Sequence, residues 1–86
     1  MTLRTKFKLA QRRVWKLPDK PSDEELLELY ALFKQATVGD SPARPTKTGL
    51  RERWKWKFWK RLQGISSNEA MTRYCDKVDA LMSASA

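Results

Sequence analysis

The stretch Ser22-Asp23-Glu24-Glu25-Leu26-Leu27-Glu28-Leu29-Tyr30-Ala31-Leu32-Phe33-Lys34-Gln35-Ala36-Thr37-Val38-Gly39 decides the fold. Ser22 and Glu25 have the spacing of a capping box, and Asp23 and Glu24 favour the positive end of a new helix dipole. Leu26, Leu27, Tyr30 and Phe33 share one apolar arc at 100° per residue, and Gly39 can supply a left-handed cap. The pattern predicts a helix over 22–38. Lys34 falls inside that arc, and Lys55 falls likewise among Phe58, Trp59 and Leu62. A half-buried ammonium is costly unless something anionic meets it. Two inward cations near tyrosines therefore point to a site for phosphate beside apolar surface.

Upstream, Phe7, Ala10, Val14 and Leu17 recur at helical spacing and predict an amphipathic helix over about 5–16, stopped by Pro18. Pro18-Asp19-Lys20-Pro21 reads as a turn. Downstream, residues 40–49 form the longest irregular segment, with Asp40, Pro42, Pro45 and Gly49. Arg51 to Gln63 is ambiguous, because Trp54-Lys55-Trp56-Lys57-Phe58 alternates with period two. Its length, the lack of a hairpin partner and the Gly64 stop favour a helix over 51–63. On that helix Arg53, Lys57, Lys60 and Arg61 form a basic face opposite Phe58, Trp59 and Leu62. Ser66 and Glu69 repeat the capping box and open a helix over 66–82. Ala70, Met71, Tyr74, Cys75, Val78, Leu81 and Met82 lie on one side of it, and Ser83 to Ala86 is expected to fray. The reading is all-α, four helices in a single domain spanning 1–86.

Composition narrows the function. A chain of 86 residues buries only about 60% of its unfolded surface, yet 41% hydrophobic residues still suffice for one core. Eighteen Lys and Arg against ten Asp and Glu give a formal charge of +8, so polyanions are the natural partners. There is no histidine, which removes the commonest general base and zinc ligand. Cys75 is alone, so no intramolecular disulfide forms and a reducing compartment fits. No apolar run approaches the roughly 18 residues of a membrane span, and residues 1–16 lack the apolar stretch of a secretory signal. A soluble cytoplasmic monomer is expected.

The string Tyr30-Ala31-Leu32-Phe33-Lys34-Gln35-Ala36-Thr37-Val38-Gly39-Asp40 resembles the signature of acyl-CoA-binding proteins, Tyr-x-x-Tyr-Lys-Gln-Ala-Thr-x-Gly-Asp. Arg44-Pro45, then Lys55-Trp56-x-x-Trp59-x-x-Leu62-x-Gly64, then Ala70-Met71-x-x-Tyr74-x-x-Lys77-Val78 follow in the family's register, covering roughly residues 5 to 82. The resemblance implies a four-helix bundle of the acyl-CoA-binding protein type, with a bowl for coenzyme A lying over an acyl chain. It implies that Tyr30, Lys34 and Lys55 hold the 3′-phosphate, that Tyr74 lies beside the ligand, and that Leu26 and Leu27 shield the acyl chain. It further implies a carrier of medium- to long-chain acyl-CoA esters that buffers and transports them in fatty acid metabolism, with no cofactor and no metal. Phe33 stands where many members have tyrosine, so one hydroxyl donor is absent while the ring can still pack on adenine. Arg51 stands where lysine is common, and Trp15 replaces a polar or basic residue near the expected nucleotide. The 40–49 loop is one residue shorter than usual and lacks the glycine after Arg-Pro.

Two other classes compete. The interleaved Trp, Lys and Phe of residues 53–61 would suit a basic helical nucleic-acid-binding module, but helix-turn-helix and RNA-recognition signatures are missing. An enzyme is disfavoured: no paired carboxylates face a cleft, and no metal spacing or Gly-rich phosphate loop is present. The basic face of the third helix could also make transient contact with an anionic membrane surface. Trp56 and Trp59 read as core anchors, Trp54 as half exposed, and Cys75 as a small core residue.

Overall fold

The computed structural model describes residues 1–85, with side chains to Ala84, and among them there are four helices and no strand: α1 (Leu3–Val14), α2 (Asp23–Thr37), α3 (Leu50–Lys60) and α4 (Ser67–Ser85). Each boundary has a local cause. α1 begins two residues earlier than its apolar spacing predicts, because the Thr2 hydroxyl accepts the Thr5 N–H and caps it there. It ends at Val14, and Lys16 and Leu17 continue only as turns onto the Arg13 and Val14 carbonyls. α2 opens with the complete capping box: Glu25 N–H donates to Ser22 Oγ while Ser22 N–H donates to Glu25 Oε1. Such a cap is worth about 1 kcal/mol. At its other end Gly39 takes φ 99°, a left-handed conformation, and its N–H returns to the Lys34 carbonyl.

α3 settles the strand-or-helix ambiguity in favour of a helix, but it is shorter than the expected 51–63. Arg61 is its C-cap, and Leu62 and Gln63 close as turns on the Trp59 and Lys60 carbonyls. α4 opens as expected with Glu69 N–H donating to Ser66 Oγ, although Glu69 directs its carboxylate to Arg73 at 3.0 Å. It continues beyond residue 82, so the frayed tail expected at 83–86 is instead helical as far as Ser85, and Ala86 lies outside the described residues.

α4 packs on α1 and α2, and α3 packs on α2. The core is built from Phe7 and Ala10 of α1, Leu29, Leu32 and Ala36 of α2, and Ala70, Met71, Tyr74 and Val78 of α4. Phe7 is its hub. Its ring meets Tyr74 edge-on at 5.0 Å and Phe33 at 6.1 Å, spacings typical of favourable aromatic pairs. Two ion pairs cross the helices outside the core, Arg13–Asp79 at 3.3 Å and Lys77–Glu28. Arg13 and Asp79 are both largely exposed, so their pair contributes little.

α3 adds one buried side chain, Phe58, and its tryptophans do different work from the core anchoring expected of them. Trp59 Nε1 donates to the Gly39 carbonyl at 2.8 Å, and Trp56 Nε1 donates to the Pro42 carbonyl at 2.9 Å. Both indoles thus pin the 38–49 connection to the helix that follows it. A second latch holds the same connection to the start of α4. Gln35, 1% exposed, donates from Nε2 to Asp40 Oδ1 at 2.8 Å and to the Ile65 carbonyl at 2.9 Å, and Gly64 N–H donates to the same Asp40 oxygen at 2.8 Å. The Ser67 hydroxyl adds a bond to the Ala36 carbonyl. The Gln-Ala-Thr-x-Gly-Asp part of the sequence signature is therefore a folding device: it ties the end of α2 to the elements that follow.

Candidate functional site

Between the end of α1, the exposed face of α2 and the inner face of α3 lies an open bowl of about 1560 Å³. Its floor is apolar, with Val14, Leu17, Leu26, Leu27, Leu29 and Phe33. α3 packs on α2 while α1 packs on α4, and neither α2 nor α3 meets the backbone of α1, which leaves these residues of α2 facing the open bowl. Leu26, Leu27, Tyr30 and Phe33 are the arc read from the sequence, and the structure leaves them half-buried on the bowl side of α2.

The polar chemistry comes from α3. Arg51 and Lys55 line the bowl one turn apart. Lys55 is half-buried, and its Nζ lies 5.2 Å from the Tyr30 ring centroid and 3.4 Å from Glu52 Oε1. Burial pushes the Tyr30 phenol upward, helped by the nearby Glu52 charge, so Tyr30 is a neutral hydroxyl at physiological pH. The Tyr74 phenol is also raised, chiefly by burial, and it closes the bowl from α4. Neutral phenols and ammonium groups are all donors to an oxyanion.

Eight of the nine residues singled out in the sequence line this one bowl: Trp15, Leu26, Leu27, Tyr30, Phe33, Arg51, Lys55 and Tyr74. Lys34 is the ninth. Its Nζ lies 5.9 Å from the Tyr30 ring centroid and 5.8 Å from that of Trp59, and Lys34 is outside the lining. It is half-buried as its position in the apolar arc requires, and two aromatic faces meet the charge there.

Sequence reasoning missed two contributions. Trp54 and Phe58 add rings to the α3 wall, and the Arg61 guanidinium stacks on Phe58 at 4.5 Å from its centroid. Arg61 therefore belongs to the bowl and not to the outward basic face on which the helical wheel put it. The signal was present: Trp54, Phe58 and Arg61 stand at i, i+4 and i+7, one stripe of a helix. The other wall, Pro18 to Glu24, brings Asp19, Lys20, Asp23 and Glu24 to the bowl. Among the described residues no group of His, Cys, Asp or Glu could hold a metal ion. Cys75 is half-buried and its thiol is pushed up by burial and by Asp79 and Asp76, so it stays protonated.

A family model described as Acyl CoA binding protein matches residues 4–78. The chain belongs to the acyl-CoA-binding protein family. It is 45% identical over 87 residues to the acyl-CoA-binding protein of Brassica napus, covering 100% of this chain and 95% of that one. It is 46% identical over 77 residues to the acyl-CoA-binding protein of Saccharomyces cerevisiae, covering 88% of each. The fold is shared as well: the crystal structure of Oryza sativa Acyl-CoA-Binding Protein 2 superposes with a TM-score of 0.87 at 40% identity, over 96% of this chain and 93% of that one. The all-α, four-helix architecture of the acyl-CoA-binding protein type is thus established, and the separated motifs from Tyr30 to Val78 were a sound guide to membership.

Proposed function

We propose that the protein binds medium- to long-chain acyl-CoA esters, and that it buffers and carries them in the cytoplasm without catalysing a reaction on them. The observation that carries this reading is the pairing of an apolar floor with a cationic, phenol-bearing wall in one bowl. An acyl-CoA has the matching halves: a hydrocarbon chain and a nucleotide with several phosphates. Family membership supports the ligand class.

In this reading the 3′-phosphate lies by Tyr30 and Lys55, with Arg51 able to offer two parallel N–H donors that a lysine lacks. Lys34, held near the Tyr30 and Trp59 rings, adds positive potential. Phe33 and Trp15 offer faces for the adenine, and Tyr74 supplies a hydroxyl beside the ligand. The acyl chain covers Leu26, Leu27 and their apolar neighbours. Each methylene removed from water contributes about 0.8 kcal/mol until the floor is covered. Nothing in this scheme makes or breaks a bond, so the product of binding is a shielded ester.

Calorimetric titration with palmitoyl-CoA, free coenzyme A and palmitate tests the reading. Saturable one-to-one binding of the ester, weak binding of coenzyme A and little of the acid is the expected result. A folded helical protein that gives no heat with the ester would refute it.

A further inference from the structure

We propose that Arg61 receives the 5′-diphosphate of bound coenzyme A, making a second anion subsite on the α3 wall of the bowl. The proposal rests on the carrier reading and adds a specificity-determining residue to it. Arg61 stands at an unspecified position of the sequence signature, between Trp59 and Leu62.

Three observations single it out. Arg61 lines the bowl, whereas Arg53, Lys57 and Lys60 of the same basic stretch do not. Its guanidinium lies over the Phe58 ring, 4.5 Å from the centroid, and Phe58 is buried with the Trp54 ring 6.4 Å away. A planar cation stacked on a buried ring is already partly ordered, so it loses less freedom on meeting a ligand than an arginine free in water. Finally, Arg61 has no ion pair among the described residues. Lys55, by contrast, shares its charge with Glu52. A cation that lines a ligand bowl with no carboxylate beside it is available to an incoming anion.

Coenzyme A presents phosphate at two points, on either side of its ribose. In the proposed binding mode Arg51 and Lys55, one turn apart, meet the 3′-phosphate with Tyr30. Arg61 follows Lys55 by six residues, a rise of about 9 Å along the helix, which suits the second phosphate group of the same ligand. The opposite wall offers no rival. Lys20 reaches the bowl there in company with Asp19, Asp23 and Glu24, and three carboxylates repel a diphosphate. Arginine also fits the task by shape, since its fork sends two parallel N–H donors to phosphate oxygens. Two simpler roles compete. A cation at the C-terminal end of α3 favours the helix dipole, and the stacked group covers Phe58. Neither depends on which phosphates a ligand carries.

The test is calorimetric titration of wild type, Arg61→Leu and Arg61→Lys with two esters. One is palmitoyl-CoA, and the other is palmitoyl-dephospho-CoA, which lacks only the 3′-phosphate. Arg61→Leu keeps an apolar cover on Phe58 but should weaken palmitoyl-CoA roughly tenfold or more. It should weaken the dephospho ester by the same factor, because the diphosphate is still there. Arg61→Lys should recover part of the loss, since it restores the charge without the fork. Circular dichroism checks that substitution of this exposed side chain leaves the fold intact. Arg61→Leu binding as tightly as wild type would reduce Arg61 to a cover for Phe58 and overturn the proposal. A loss that disappears with the dephospho ester would give Arg61 to the 3′-phosphate and equally overturn it. So would an Arg61→Lys variant no better than Arg61→Leu, which would indicate stacking on the adenine. Each of these results leaves the carrier reading standing, because wild type binds. A wild type that gives no heat with either ester removes both.

Discussion

Lys55 stands over Tyr30, its Nζ 5.2 Å from the ring centroid, while Glu52 holds the same ammonium at 3.4 Å. The ammonium is thereby poised at the bowl but shared with a carboxylate. In the proposed binding mode an incoming phosphate has to compete with Glu52 for it. Lys55→Ala should lower palmitoyl-CoA affinity by about 1.5–3 kcal/mol, the range for a hydrogen bond to a charged group. Glu52→Gln should raise it, by a smaller amount. Calorimetry reads both.

Glu52 also leaves a spectroscopic mark. Its charge adds to burial in raising the Tyr30 phenol, whereas Tyr74 owes its raised value chiefly to burial. With only two tyrosines in the chain, alkaline absorbance titration resolves them. Glu52→Gln should bring one ionisation down toward the ordinary value of 10.0 and leave the other in place.

Phe7 links the core to the bowl. It is 4% exposed and touches both Phe33 and Tyr74. Phe7→Ala should cost about 3–5 kcal/mol in urea unfolding by leaving a cavity. It should also weaken ligand binding, since two rings lining the bowl lose their backing.

Asp40 gives the stability a defined pH dependence. The Gly64 N–H and the Gln35 amide hold its carboxyl below the ordinary value of 3.8. A depressed carboxyl stabilises the fold above that ordinary value and ceases to do so as pH falls through the lowered one. Denaturation midpoints of wild type should fall across that window. Asp40→Asn should start lower at neutral pH and change less on acidification.

How much of this was legible depended on whether neighbours in sequence decided it. Ser22, Glu25 and Gly39 fix both ends of α2 through local hydrogen bonds and one left-handed φ, so its limits could be read directly. The inward placement of Lys55 followed from helical period alone. Arg61 could not be placed as easily, because it lies at the edge between two faces of α3 and its direction is set by stacking on Phe58. The tryptophans misled for a related reason. Indoles usually signal a core, yet Trp56 and Trp59 have their N–H groups claimed by carbonyls of a loop, a tertiary fact with no periodic signature. The extra residues of α4 were lost to composition, since Ser83, Ala84 and Ser85 lack an apolar stripe.

α3 meets the backbone of α2 and of no other helix among the described residues, and two indole hydrogen bonds secure it to the preceding loop. α1 likewise meets a single helix, α4, but it buries Phe7 and Ala10 where α3 buries Phe58 alone, so α3 should unfold by itself before the rest of the chain does. Its amides would then exchange with solvent through a private opening, while those of α2 and α4 wait for global unfolding. A molecule bridging α2 and α3 has to leave before that opening, which slows exchange in α3 by the free energy of binding. Deuterium uptake along a single helix thus becomes a thermometer of occupancy, readable even in a mixture where the ligand is unidentified.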